Sequence, residues 1–241
     1  MPSSVGVSGV MAASAADAPT GRIERHRGLL LRILSASVLG PLLLAAIWFG
    51  FPWIDLVAAL AAPLMIAEWI RLTRGRPVIR VAAVLYALAA VVALLWLRHQ
   101  PTLGRETIIW IVLCIWATDT GAYVVGRAAG GAKLAPRISP SKTWSGLIGG
   151  MAWAAVASAA TGYAFGLGET IHLAVIGAGL AVVGQIGDLV ESAAKRSAGV
   201  KDSGTLIPGH GGLLDRVDGL VAVLVVVALV RLTVGGAWPW A

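Results

Sequence analysis

The sequence predicts an all-α protein, a polytopic transmembrane helix bundle of about seven spans with its N-terminus in the cytosol. Three observations carry this. Of 241 residues, 58% are hydrophobic and only 13% charged, against about 25% charged in a soluble globular domain. The mean hydropathy of +0.83 agrees. The apolar residues are gathered into stretches of about 17–23 residues, the length a helix needs to cross about 30 Å of hydrocarbon. Between these stretches the basic residues fall on alternate loops, as the positive-inside rule demands.

Residues 1–21 are rich in Ala, Ser and Gly, with no basic residue before Arg22. They lack the charged start and apolar core of a signal peptide, so residues 1–28 read as a disordered cytosolic tail. The seven predicted spans are 29–50, 53–70, 79–98, 107–126, 144–166, 171–191 and 218–237, and Gly40-Pro41 is a candidate break in the first. No run alternates as a barrel strand would, and a backbone in lipid must satisfy its own hydrogen bonds, so these spans are helices. With seven spans, 16 of the 19 basic residues fall on one face. They lie in the tail (Arg22, Arg25, Arg27, Arg32) and in three loops (Arg71, Arg74, Arg76, Arg80; Arg127, Lys133, Arg137, Lys142; Lys195, Arg196, Lys201, Arg216). Only Arg98, Arg105 and Arg231 remain for the other face. The division is therefore a tail at 1–28, N-terminal membrane helices over 29–106, and a region 107–241 whose loops 127–143 and 192–217 reach the cytosol. Trp48, Trp53, Trp96, Trp238 and Trp240 fall near predicted interfaces, as an aromatic belt would.

The net charge of +7 does not point to nucleic acid, because the basic residues are confined to short loops between apolar segments. Cys114 is the single cysteine and lies in an apolar run, an inert packed thiol that excludes an internal disulfide and zinc–thiolate chemistry. Gly146-x-x-x-Gly150 lets two helices approach closely, either within one subunit or across a homodimer.

Carboxylates in the predicted spans cost at least about 2–3 kcal/mol each and need a reason. Glu68 lies beside the basic loop 71–80, where a local ion pair suffices, and Asp55 at a helix start complements the dipole. Asp119 and Asp188 lie deeper, at equivalent depths in spans four and six. Asp188 belongs to a stripe, Gln185, Asp188, Glu191, Ser192 and Lys195, whose spacings place it on one helical face. Such a stripe lines a water-filled cavity or glues helices together.

The loop that follows decides between them. From Ser192 to Asp218 it carries Lys195, Arg196 and Lys201, then Asp202, then Pro208-Gly-His210-Gly211-Gly212, then Asp215-Arg216-Val-Asp218. Glycines allow tight turns and close backbone approach to phosphate. Asp215 and Asp218, three apart at a helix start, are expected to face one way and hold Mg²⁺. Lys195, Arg196, Lys201 and Arg216 neutralise phosphate charge. Acids set among bases at a membrane surface point to a metal–phosphate site.

This segment resembles the signature of the phosphatidate cytidylyltransferases in its Ser-x-x-Lys-Arg, Lys-Asp, Pro-Gly-His-Gly-Gly and Asp-Arg-x-Asp elements. A second segment fits as well: Asp119-Thr-Gly-Ala-Tyr123, Gly126-Arg127, then Ser139-Pro-Ser-Lys142-Thr with Gly146; Gly187-Asp188-Leu with Glu191-Ser192 also matches. The resemblance covers about residues 107–220, and the chain is short for the family, which implies one or two fewer N-terminal spans. It implies condensation of CTP with phosphatidate to CDP-diacylglycerol and pyrophosphate, at the cytosolic face of a bacterial cytoplasmic membrane. It implies catalytic roles for Asp188, Lys201, Asp202, Asp215, Arg216 and Asp218. Phosphate contacts fall to Lys142, Ser192, Lys195, Arg196, His210, Gly211 and Gly212. Mg²⁺ is expected on Asp188, Asp215 and Asp218, with Asp119 as a further ligand and a second cation left open.

Two other classes compete. Asp215-Arg-Val-Asp218-Gly219 imitates the start of the CDP-alcohol phosphotransferase motif, but Leu220-Val-Ala-Val-Leu-Val-Val-Val lacks the further aspartates. A transporter or channel would use Asp119 and Asp188 as an acidic pathway, yet the polar groups gather near one face and no inverted repeat is visible. A scaffold leaves the acidic motifs without a purpose.

Overall fold

The computed structural model describes residues 37–166, 168–206, 211–235 and 238–240. The predicted tail, the first part of the first predicted span and His210 lie outside them. Helix α1 is described over Ser37–Phe49 and runs through Gly40-Pro41 without a break. There follow α2 (Trp53–Leu72), α3 (Pro77–Arg98), α4 (Gly104–Ala129), a hairpin of β1 (Lys133–Ala135) and β2 (Ser139–Thr143), α5 (Trp144–Phe165), α6 (Thr170–Ser197) and α7 (Leu214–Val234). Six of these helices, α2 to α7, are long and apolar enough to cross a membrane. The chain is an all-α polytopic bundle whose exposed side chains include Leu60, Val78, Val92, Ile148, Val156 and Val175, an apolar exterior that suits lipid and not water.

The helix ends follow from local chemistry. Pro77 opens α3, where its missing N–H costs nothing. Thr143 caps α5 by accepting from Gly146 N at 3.0 Å, and Gly166 in the left-handed region closes it. Thr143 also ends β2, so the antiparallel hairpin delivers the chain straight into α5.

Cross-helix bonds define two ends. At one, the finish of α2 meets the loop before α7, and β2 meets α6. At the other, Arg98 Nε of α3 donates to Ile47 O of α1 at 2.7 Å, and His99 meets Asp55 at 3.0 Å. Arg71, Arg74, Arg76, Arg80, Arg127, Lys133, Arg137, Lys142, Lys195, Arg196, Lys201 and Arg216 all belong to the first end; Arg98, Arg105 and Arg231 belong to the second. The helices thus bring the basic loops together as the hydropathy pattern predicts.

The core lies around Trp110, Ile111, Cys114, Leu180, Val223 and Val227. Trp240 corrects one expectation. It is not a belt residue but packs edge-on to Trp110 with centroids 5.5 Å apart, and its Nε1 donates to Thr107 Oγ1 at 3.0 Å. Small residues let the helices touch. A Cβ on Gly121 of α4 would stand 2.7 Å from Gly149 O and 2.6 Å from Trp153 Cγ, both in α5. The Gly146/Gly150 ridge is likewise filled within the chain, against α4: Cβ atoms there would lie 3.0 Å from Ala122 O and 3.0 Å from Thr118 O.

Gly121→Leu is expected to destabilise the bundle by about 1–3 kcal/mol or more, since the obstacle is backbone. Gly179→Leu, whose Cβ would meet nothing within 4 Å, should leave stability unchanged. A thermal melt in detergent followed by fluorescence-detected size exclusion distinguishes them.

Candidate active site

The polar stripe of α6 faces α7 and the hairpin. The Gly187 gap permits this, because a Cβ there would lie 2.6 Å from Ala222 Cβ and 2.7 Å from Asp218 O. With α6 and α7 in backbone contact, Asp188, Glu191 and Asp218 each offer one oxygen to a group in which all lie within 4.8 Å of one another. These three carboxylates sit at the basic end of the bundle. Asp119 of α4 and Lys142 of β2 line the adjoining recess with Gln185, Asp188 and Asp218. The two sequence segments with motif character therefore meet at one place.

Partners are specific. Lys142 Nζ bonds to Asp188 Oδ2, and Ser192 Oγ donates to Asp188 Oδ1 at 3.1 Å. Lys195 is buried and spans two acids, Glu191 Oε2 at 2.9 Å and Asp215 Oδ1 at 2.6 Å. Asp215 Oδ2 accepts from Ser203 N and Gly212 N, both at 2.8 Å. Both oxygens of Asp215 are thus occupied, by two loop amides and an ammonium.

As their i,i+3 spacing leads one to expect, Asp215 and Asp218 both turn to α6, Asp215 to Lys195 and Asp218 to Asp188 and Glu191. The difference lies in the grouping: Asp215 is tied to Lys195 and to loop amides and stands outside the three-carboxylate group. Glu191 joins Asp188 and Asp218 instead, a residue visible in the α6 stripe but not singled out as a ligand.

The remaining candidates divide. Arg196 Nε and Nη1 donate to Ile138 O and Val200 O, both at 3.2 Å, so its head pins the hairpin to the end of α6. Lys201 and Asp202 are exposed in the loop, and Arg216 is exposed in the first turn of α7. Asp119 is exposed at the recess. Gly211 takes φ of +86°, which favours glycine, and a Cβ on it would approach Asp215 Oδ2 to 2.7 Å. The space left by Gly212 is filled by Ser203 and Glu68. Glu68 keeps the expected i,i+3 ion pair with Arg71 at 4.0 Å and does more: it is buried and bonded to this loop.

A divalent cation fits the Asp188, Glu191 and Asp218 group on two grounds. Glu191 Oε1 is buried and meets no hydrogen-bond donor among the described residues, a costly state for a carboxylate oxygen unless a cation or water meets it. Five carboxylates (Asp119, Asp188, Glu191, Asp215 and Asp218) stand against three nearby cations, Lys142, Lys195 and Arg216, an excess of negative charge that oxygen-seeking Mg²⁺ would offset.

The profile of the cytidylyltransferase family matches residues 75–234. The chain is 45% identical over 169 residues to the phosphatidate cytidylyltransferase of Brucella suis, covering 70% of this chain and 61% of that protein. It is 35% identical over 206 residues to the protein of the same name in Rickettsia bellii, covering 82% and 88%. The Haemophilus influenzae protein of that name is 40% identical over 131 residues, covering 52% and 46%. The chain thus spans about three fifths of the length of the Brucella relative.

Glu191→Gln is expected to weaken Mn²⁺ binding at least about tenfold, in the range seen when one member of a metal site is altered. Asp55→Asn, at the opposite end, should leave it unchanged. Titration of detergent-solubilised protein followed by the free Mn²⁺ electron-paramagnetic signal reads both.

Proposed function

Because this chain belongs to the cytidylyltransferase family, we propose that it condenses CTP with phosphatidate, releasing pyrophosphate and leaving CDP-diacylglycerol in the bilayer. The observation that carries the proposal is the group of Asp188, Glu191 and Asp218, flanked by Lys142 and Lys195, at the basic end of a membrane-spanning bundle. By the positive-inside rule that end faces the cytosol, where CTP is found, in a bacterial cytoplasmic membrane.

Both reactants are anionic. A phosphate oxygen of phosphatidate attacks the α-phosphorus of CTP, a new P–O bond forms, and the bond to the bridging β-oxygen breaks with its electron pair leaving on pyrophosphate. The nucleophile is ionised at neutral pH, so the protein supplies no strong base. Its work is to bring two repelling phosphates together and to stabilise charge on the departing pyrophosphate. Mg²⁺ held by Asp188, Glu191 and Asp218 would supply electrostatic stabilisation of the triphosphate oxygens. Lys142 on the hairpin and Arg216 on α7 stand beside the group to bind phosphate. Lys201 and Asp202 belong to the loop that leads to it; His210, outside the described residues, is retained as a phosphate contact on the sequence alone. Lys195 is committed to Glu191 and Asp215, so it orients carboxylates. The recess beside Asp119 is lined by α4, β2, α6 and α7; phosphatidate would reach this end of the bundle from the bilayer, with its tails staying in hydrocarbon. The concentration of acids at one end argues against a transport path, which would need polar groups at the midplane.

The test is turnover in mixed micelles of detergent and phosphatidate with Mg²⁺ and labelled CTP, with ATP, GTP and UTP as controls. CTP-selective, Mg²⁺-dependent formation of a CDP-lipid is expected. Asp188→Asn and Asp218→Asn should each lower kcat/KM by at least about 100-fold, the scale for removing a charge-stabilising group from a transition state. Absence of CDP-lipid from folded protein, across lipids and metals, would overturn the proposal.

A further inference from the structure

Helix α7 begins without a side-chain cap from its own segment, with Leu213 at the N-cap position. Its first amides are met by a carboxylate from another helix. Glu68 of α2, only 3% exposed, accepts from Leu213 N with Oε1 and from Leu214 N with Oε2, both at 2.9 Å. Its Oε2 also accepts from Ser203 Oγ at 2.7 Å. Three residues on, Arg71 Nη2 donates to Ser203 O at 2.9 Å. One turn of α2 therefore grips both strands of the loop, at Ser203 and at Leu213–Leu214.

The loop is shaped to receive it. A Cβ on Gly204 would stand 2.8 Å from Glu68 Oε1, and one on Gly212 would stand 2.6 Å from each Glu68 oxygen. Those two glycines leave room for the carboxylate. The single hydroxyl proton of Ser203 goes to the nearer acceptor, Glu68, while Ser203 N donates to Asp215 Oδ2 at 2.8 Å, so Ser203 links the two acids. Asp215 in turn holds Lys195, and Lys195 holds Glu191. A continuous set of bonds runs from Glu68 to the three-carboxylate group, through a residue that the family profile, starting at 75, does not include.

We propose that Glu68 is a positioning residue for the nucleotidyl-transfer site: it caps α7 from outside and holds Ser203 and residues 212–214 beside it, which sets where Asp215 and Asp218 stand. The physical reason is that a buried carboxylate accepting two backbone amides and a hydroxyl satisfies the helix start that α7 cannot satisfy itself, and adds a favourable charge at the positive end of its dipole. The kinetic part rests on the proposed function; the structural part does not.

Two measurements keep them apart. Hydrogen–deuterium exchange of full-length protein in detergent is followed in peptides covering 203–215 and, as reference, 133–143. Glu68→Gln keeps the size but presents an amide N–H₂ where an acceptor is needed. It is expected to speed exchange in 203–215 by about tenfold or more, with 133–143 unchanged. Ser203→Ala, which removes one of the three donors, should give a smaller acceleration in the same peptide. In turnover assays Glu68→Gln should lower kcat about tenfold while KM for CTP stays within about twofold, the pattern of a group that aligns the site without contacting the nucleotide. Unchanged exchange in both variants would overturn the capping role. Normal kcat alongside accelerated exchange would overturn the positioning role. A wild-type protein without turnover would remove the proposed reaction while the exchange result still decides the cap.

Discussion

A carboxylate in a helix that crosses hydrocarbon survives only where a cation or several donors meet it, and the site depends on how this chain meets that demand. Burial of an unmatched charge costs several kcal/mol, so each acid has to be answered. Asp188 is answered by Lys142 and Ser192, Glu191 by Lys195, Asp215 by Lys195 and two amides, and Glu68 by two amides and a hydroxyl. The answers come from different elements. Satisfying the acids therefore fixes α2, the hairpin, α6 and α7 relative to one another, at the end of the bundle where lipid packing alone would leave them loosest.

Small residues make those answers reachable. The Gly187 gap brings α6 against Asp218, and the gaps at Gly204 and Gly212 admit Glu68. The glycines of the loop were expected to let backbone approach phosphate. In the structure the space at Gly211 and Gly212 is shared with protein carboxylates: a Cβ at the first would meet Asp215 and at the second Glu68. A glycine-rich turn beside an anion site has two anions to accommodate, the ligand's and the protein's own, and the residue type does not distinguish them.

Much of the fold was legible because hydropathy and length report directly on the bilayer. The spans predicted at 53–70, 79–98 and 144–166 match α2, α3 and α5 within two residues at each end. Helix α6 is longer than predicted and α7 is shifted toward its start. Helix α6 continues to Ser197 and α7 begins at Leu214, because Glu191, Lys195 and Asp215 satisfy one another and a helix need not end or begin where the apolar run does. The convergence of Lys142 with Asp188 was legible as two motif segments on the same face. That Asp215 stands outside the Asp188, Glu191 and Asp218 group was not, since it depends on the loop amides and on Lys195, which occupy its oxygens. Trp240 misled for a similar reason: a terminal tryptophan reads as an interface anchor until Thr107 and Trp110 are seen to enclose it.

Glu68 shows how long-range bonding adds to what a local reading finds. In sequence it sits three residues before Arg71, and an i,i+3 ion pair is the economical account. In space that pair is present at 4.0 Å, but Arg71 also donates to Ser203 O, and Glu68 serves amides 145 and 146 positions away. A surface pair of that kind contributes little, whereas a buried cap holding a helix start is worth about 1 kcal/mol or more. The stronger interaction takes the residue, and with it α2 ceases to be only a membrane anchor. The positions of Asp215 and Asp218 are set as much by a helix that precedes the family-matched segment as by the motif in which they lie.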